Sequence, residues 1–240
     1  MTTQRKNYAL KGAGIIGLLA VSVVTLVYMR PNVNTQWPRP FDPAKTVDIS
    51  GVVGVSTKQQ AWGEDLIKNT AKDLTEWSDY AYALENGYKL IDIPSSGNFV
   101  HLVNVEYLQD DIEFNSTKVE SLVYAREGDT YILNAAMYVA AGAGTQYDRL
   151  KLLGGNLVQW HLHEKACFEF DTYNIYDFTT SEVVTCPNGS VPIERVFDTP
   201  MMHVWIVPNE CGVFAAIETS KLLKGSTYID EDKRVDLCQN

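Results

Sequence analysis

The sequence predicts an α+β fold that is mostly β, a barrel or sandwich with an N-terminal helical segment, preceded by a single transmembrane helix. Three observations predict it. An uncharged apolar run lies near the N-terminus, apolar residues recur at helical spacing over residues 57–84, and short β-branched and aromatic segments follow from Tyr88 onward. With 240 residues, 45% of them hydrophobic, the chain is long enough to bury a globular core.

The apolar run is predicted to be a signal anchor over residues 12–29. These 18 residues carry no charge, and as a helix they would span about 27 Å, close to the hydrocarbon thickness of a bilayer. An uncleaved anchor is favoured over a cleaved signal peptide because no small-residue cleavage site ends the run. Arg5, Lys6 and Lys11 precede it, which predicts a cytoplasmic tail over residues 1–11. We therefore expect a single-pass protein of the cell membrane whose main domain is extracytoplasmic.

The charge distribution excludes one class of partner. The whole chain has a formal charge of −10, and residues 1–30 hold four basic residues and no acid, so the remainder carries −14. A domain this negative repels phosphate backbones, and we expect no nucleic-acid partner.

A proline-rich spacer is predicted over residues 30–48, because four prolines there favour an extended chain.

The helical segment is predicted over residues 49–87. Within it, Thr57-x-x-Gln60 fits a capping box, and apolar residues then recur at helical spacing. A second short helix is predicted from Ser78 to Leu84, with Asn86-Gly87 as its end.

Residues 88–240 are predicted to form the β-rich domain. Many short strands separated by Gly, Asn, Asp or Pro turns are typical of a barrel or sandwich. The small-residue stretch at 140–145 lacks the Lys and Ser/Thr of a phosphate-binding loop and is interpreted as a mobile connection. The predicted strands cover 89–93, 98–105, 120–125, 130–140, 157–163, 166–170, 182–185 and 203–208.

The four cysteines all lie in the last third of the chain, at Cys167, Cys186, Cys211 and Cys238. An even number in an oxidising compartment predicts two disulfides. Of the three possible connectivities we favour the pairing of sequence neighbours, Cys167 with Cys186 and Cys211 with Cys238. A thiolate metal site is the alternative, but the chain has no C-x-x-C spacing to support it.

The chain has only four histidines, and each falls in a predicted strand. His161 and His163 are two residues apart, so on a strand both imidazoles point to the same face. His203 could add a ligand from a neighbouring strand, and His101 a fourth. Convergent imidazoles suit a transition metal, so we predict a copper or zinc site.

Further ligands are possible around these histidines. A carboxylate could come from Glu164, Glu169 or Glu106, and a thioether from Met201 or Met202 would favour copper. Aromatic neighbours indicate an apolar shell around the site; they are Trp160, Phe168 and Trp205. The alternative interpretation is that the histidines are hydrogen-bonded structural residues or a pH-sensitive contact.

A family resemblance supports the metal interpretation. Gly155-x5-His161-x-His163, followed by Glu169, resembles the first motif of the cupins, small β-barrels that hold a metal on three His and one Glu. Five residues separate His163 from Glu169, more than in the cupin pattern. The resemblance implies a cupin-like barrel with His161, His163 and His203 as ligands, and Glu169 in the place of the carboxylate.

A second resemblance groups two segments into one site. The chain resembles uncharacterised membrane-anchored extracytoplasmic prokaryotic proteins with W-H-x-H…C-F and H-V-W-x-V-P-x-x-C-G-x-F-A, here Trp160 to Phe168 and His203 to Ala215. That resemblance implies no activity.

Three functions of different classes follow as hypotheses. The first is a membrane-anchored metal-binding protein for storage, delivery or sensing, or an accessory subunit of a membrane protein complex. The second is a cupin-type metalloenzyme with an open coordination position. The third is a structural subunit without metal, whose aromatic residues form a protein interface.

Overall fold

The computed structural model describes residues 49–228 apart from 51, 92–97, 141–146, 170, 173, 180–184, 188, 208, 210–211 and 216–225. The predicted tail, anchor and spacer, residues 1–48, lie outside the described residues. Within the described ranges, no helix is both long enough and apolar enough to cross a membrane. The described part of the chain is α+β and mostly β, as the sequence predicts.

The helices come first along the described chain. Helix α1 spans Thr57–Asp73, a 3-10 helix spans Leu74–Ser78, and α2 spans Tyr80–Glu85. Thr70, Ala71 and neighbouring residues of one α1 face are buried. They pack with Leu74 and Trp77 against the sheet. Burying an apolar face against other elements, rather than intrinsic propensity, accounts for most helix stability in proteins.

The predicted start of α1 was wrong by one residue. The cap is Ser56, whose backbone is extended with φ −77° and ψ 157°. Its hydroxyl oxygen accepts from the Gln59 amide N–H, and its own amide N–H donates to Oε1 of Gln59. An N-cap must keep a non-helical backbone, whereas Thr57 is already the first helical residue. The second helix likewise begins later than predicted, because Asp79 caps it and Ser78 ends the 3-10 helix.

The strands form one antiparallel sheet in the order β1-β2-β3-β4-β7-β5-β6, with β8 paired to β5. A short helix α3, Val105–Leu108, follows β2. Helix α4, Tyr147–Gly154, and a 3-10 turn, Gly155–Leu157, precede β5. The strands are β1 Tyr88–Ile91, β2 Phe99–Asn104, β3 Ser121–Glu127, β4 Thr130–Val139, β5 His161–Glu169, β6 Asn174–Thr179, β7 Val191–Trp205 and β8 Ser226–Tyr228.

The structure differs from the predicted strands mainly in the second half of the chain. The segments predicted at 157–163 and 166–170 form the single strand β5, which begins only at His161 because a 3-10 turn precedes it. Strand β7 begins at Val191, although only its last residues were predicted, and β6 and α4 were not predicted. Polar residues interrupt the apolar pattern of β7, and pairing with β5 holds it in the sheet.

Between the strands predicted at 120–125 and 130–140, Glu127-Gly128-Asp129 is one of the Gly- and Asp-containing turns that the sequence predicts, and the structure confirms it. Glu127 pairs with Thr130, so a two-residue loop joins β3 to β4. Gly128 has a φ of +61°. Tight hairpin loops of this kind need left-handed backbone, which glycine adopts without steric cost.

The sheet has two distinct faces. The helix-covered face carries the main core, in which side chains such as Leu102, Leu122 and Val204 pack under the helices. On the opposite face, here called the inner face, Ile91 and Val103 of β1 and β2 pack with residues of β5 and β6, among them Phe168 and Ile175. Strands at the two ends of the order therefore meet, and the sheet curls into a half-barrel with the inner face on its concave side.

The predicted disulfide between Cys167 and Cys186 is confirmed. It joins β5 to the segment before β7, with a Cα–Cα distance of 5.3 Å. Cys211 and Cys238 lie outside the described residues, so their pairing stays a prediction.

Candidate functional site

The four histidines meet on the inner face. His101 comes from β2, His161 and His163 from β5, and His203 from β7. All four are buried, with exposures between 1% and 5%. The ring centroids of His101 and His203 are 5.9 Å apart, those of His203 and His161 are 5.2 Å apart, and those of His161 and His163 are 5.6 Å apart. The imidazoles thus form one continuous row through the interior.

The curvature of the sheet brings these rings together. Strands β3 and β4 lie between β2 and β7, and in a flat sheet that places β2 about 14 Å from β7. Two of the inner-face residues on these intervening strands are small: Val123, which pairs with His101, and Ala135, which pairs with Trp205. Met137 pairs with His203 itself. Small side chains on the concave side leave room for the two imidazoles to approach across the intervening strands.

Burial keeps two of these imidazoles neutral. Loss of hydration, together with a smaller effect of nearby His161, lowers the pKa of His101 to about 4. Loss of hydration also lowers the pKa of His161 to about 4, against a smaller opposing effect of the Gln159 backbone. Nδ1 of His161 lies 3.5 Å from the Gln159 carbonyl oxygen, and a proton held there leaves the lone pair on Nε2. A neutral imidazole with a free lone pair is the form that binds a metal.

An aromatic shell borders the row at one end. The Trp205 ring lies 5.8 Å from that of His203 and 5.5 Å from that of Phe99, and its indole N–H donates to the Ala215 carbonyl oxygen. Trp205 therefore belongs to the predicted shell. Trp160 does not, because it packs in the core of the helix-covered face, where its ring lies 5.8 Å from Phe114.

The other predicted ligands lie away from the histidine row. Glu106 is exposed in the first turn of α3. The Glu169 carboxylate accepts from the hydroxyls of Thr172 and Tyr176, and it lies roughly 20 Å along β5 from His163. Met202 is fully buried in the core of the helix-covered face. The Glu164 side chain lies outside what the structure describes.

Two methionines share the face of the histidines. Met201 pairs with His161 across β5 and β7, and Met137 pairs with His203 across β4 and β7. The sequence offers both Met201 and Met202 as thioether ligands. Because side chains alternate along β7, Met201 lies on the face of the histidines and Met202 lies on the opposite face. Met137 was missed, although the alternation of apolar residues in β4 is a signal that could have found it. A bulge at Asn134 resets that alternation.

The described residues contain no preformed metal geometry. Across the part of the chain that the structure describes, no three His, Cys, Asp or Glu side chains are arranged so that they could hold a metal ion. The imidazoles are therefore neighbours whose nitrogens do not point to one centre.

A buried carboxyl group lies on the other face of the sheet. Glu120 is 1% exposed, and its Oε2 accepts from the Val139 amide N–H at 3.4 Å. Its Oε1 has no hydrogen-bond partner among the described residues. Loss of hydration raises the pKa of Glu120 to about 8, so this side chain is largely protonated at neutral pH.

Comparison with protein-family models, with curated proteins and with solved structures finds no match to this chain.

Proposed function

We propose that the chain is a membrane-anchored extracytoplasmic protein that binds one transition-metal ion, copper or zinc, on its histidine row. Storage, delivery, sensing, or service as an accessory subunit of a membrane protein complex are the roles that such binding fits. The observation that carries the proposal is that all four histidines of the chain are buried side by side in one interior. Buried imidazoles cost hydration free energy, and a bound ion offsets that cost.

The spacing of the rings supports the proposal. Two imidazoles on one tetrahedral ion hold their ring centroids about 5 Å apart, given metal–nitrogen bonds of about 2 Å. The separations of 5.2 Å, 5.6 Å and 5.9 Å lie close to that value. Binding would require the rings to turn about χ2, which is a soft torsion for histidine.

The compartment is part of the same proposal. The disulfide between Cys167 and Cys186 supports an oxidising environment. The uncharged run at residues 12–29 and the basic residues before it support an anchor with the domain outside the cytoplasm.

A structural domain without metal is the second candidate. The observation that favours it is that the described side chains form no preformed metal geometry. In that case the imidazoles fill the interior as buried polar groups, and removing one would lower stability without affecting any metal.

Metal analysis of the full chain, purified in detergent, tests the proposal. We expect about one equivalent of copper or zinc in the wild-type protein, and its loss in His161→Asn and His203→Asn. Glu120→Gln is the matched control, because it alters a buried polar group on the other face and should leave the metal content unchanged. A wild-type protein that binds neither metal in titration, or asparagine variants that keep full stoichiometry, would favour the structural candidate.

A further inference from the structure

The register of three neighbouring strands places two thioethers beside the imidazoles. Met201, His203 and Trp205 alternate onto the inner face of β7, and their pairing with β4 runs without a shift. Met201 lies directly opposite His161 on β5, and Met137 lies directly opposite His203. Residues directly opposite each other in an antiparallel pair have Cβ atoms about 5 Å apart. Each methionine side chain is long enough to reach its partner imidazole.

The same interior contains a buried hydroxyl with no hydrogen-bond partner. Ser121 pairs with Met137 on the inner face and is fully buried. Its Oγ has no hydrogen-bond partner among the described residues. A buried polar atom left in this way costs free energy, and it adds a further polar atom to the space that Met137 and His203 border.

The donor set carries no charge, which decides between metals. Imidazoles bind a metal as neutral ligands and thioethers carry no charge, and Glu106 and Glu169 lie elsewhere. The cost of transferring an ion from water into a low-dielectric interior rises with the square of its charge, so a monovalent ion costs about one quarter as much as a divalent one. Soft thioether ligands also select Cu(I), whereas carboxylates suit harder divalent ions.

We propose that Met137 and Met201 are ligands that make this a Cu(I) site, with imidazoles of His161 and His203 as their partners. This inference rests on the proposed metal-binding function and names the metal and its oxidation state. Divalent zinc would then bind through the imidazoles alone, and more weakly.

Anaerobic competition against a chromophoric Cu(I) chelator tests the proposal on the full chain in detergent. Met137→Leu and Met201→Leu should each raise the Kd for Cu(I) about tenfold or more, since each removes one ligand. Met202→Leu is the matched control, because that methionine faces the helix-covered core, and its Kd should equal that of the wild type. All three exchanges conserve volume and should preserve the fold. X-ray absorption of the Cu(I) protein should show sulfur neighbours that are lost in the double variant Met137→Leu/Met201→Leu.

The outcomes separate the two proposals. Unchanged Cu(I) affinity in both Met137→Leu and Met201→Leu, with zinc and copper still lost in His161→Asn, would overturn the Cu(I) assignment and leave the histidine site standing. A wild-type Kd for Zn(II) as tight as that for Cu(I) would also overturn it. Failure of the wild-type protein to bind either metal would remove the proposed function together with this inference.

Discussion

The two faces of the same sheet are buried to similar degrees but by different chemistry. On the helix-covered face, two buried tyrosine hydroxyls have partners: that of Tyr88 donates to the Val119 carbonyl oxygen at 2.8 Å, and that of Tyr124 donates to the Trp77 carbonyl oxygen at 2.5 Å. Oε1 of Glu120 on the same face has no partner among the described residues. The inner face instead buries four imidazoles and the Ser121 hydroxyl. Burying polar groups costs hydration free energy, so the two faces should respond differently to pH and to substitution.

The largest expected effect is that low pH destabilises the folded protein through the buried histidines of the inner face. The pKa of His101 and of His161 is 6.5 in the unfolded chain and about 4 in the folded protein. Between these values the unfolded state binds more protons, so stability is complete above pH 6.5 and is lost as the pH falls towards 4. The loss should reach on the order of 3 kcal/mol for each histidine. Urea denaturation of the metal-free protein at several pH values measures it, and His161→Gln should show a smaller loss. Equal losses of stability in the wild type and in His161→Gln would contradict a lowered pKa of His161 in the folded protein.

A large-to-small change in the core should affect stability and leave metal binding unchanged. Leu122 is fully buried at the centre of the helix-covered face, and Leu122→Ala should cost about 3 kcal/mol because it leaves a cavity. Leu152, which is 75% exposed, provides the control: Leu152→Ala should change stability by less than about 0.5 kcal/mol. Denaturation midpoints and metal stoichiometry together check this. A loss of metal in folded Leu122→Ala would show that the two faces are not independent.

Glu120 should respond to pH in the opposite direction to the histidines. Its pKa is 4.5 in the unfolded chain and about 8 in the folded protein, so its contribution to stability is present below pH 4.5 and is lost as the pH rises to 8. Glu120→Gln removes this loss and should be more stable than the wild type by about 2 kcal/mol at pH 9. Denaturation of both proteins at pH 4 and pH 9 tests it; a difference that does not grow with pH would contradict the buried, neutral carboxyl.

The smallest effect should come from the cap of α1. Ser56→Ala removes the hydroxyl that accepts from the Gln59 amide N–H and should cost about 1 kcal/mol. Thr57→Ala, one residue later, should be close to neutral because Thr57 is already helical. Thermal denaturation of the two variants side by side measures the difference. A larger loss of stability in Thr57→Ala than in Ser56→Ala would instead support Thr57 as the N-cap, as predicted from the sequence.

Local pattern was sufficient where a few neighbouring residues fix the structure. The Gly128 turn, the presence of α1 and α2 and the disulfide between Cys167 and Cys186 all follow from short-range chemistry. The sequence pattern did not predict strands that are held in place mainly by pairing with neighbouring strands. Strand β7 carries polar residues and prolines that argue against a strand, yet β5 on one side and β4 on the other hold it in the sheet.

Some features of the candidate site also follow from local spacing, whereas others depend on how the strands pair. Residues two apart on a strand share a face, so the sequence alone placed His161 beside His163. The structure places Trp160 and Met202 in the core of the helix-covered face. Assigning a residue to one face of a sheet requires the strand register, and a single bulge reverses the assignment. Alternation along β4 suggests the face of Met137, and the pairing of β4 with β7 then places it opposite His203.

The sequence by itself determined the class of fold, the position of His161 and His163 on one strand and the pairing of two cysteines, since these depend on composition and near neighbours. Only the tertiary structure decided that His101, from a strand separated from β7 by two other strands, reaches His203. The physical reason is curvature: small residues on the concave face let the sheet curl, and no local pattern encodes how far a sheet bends.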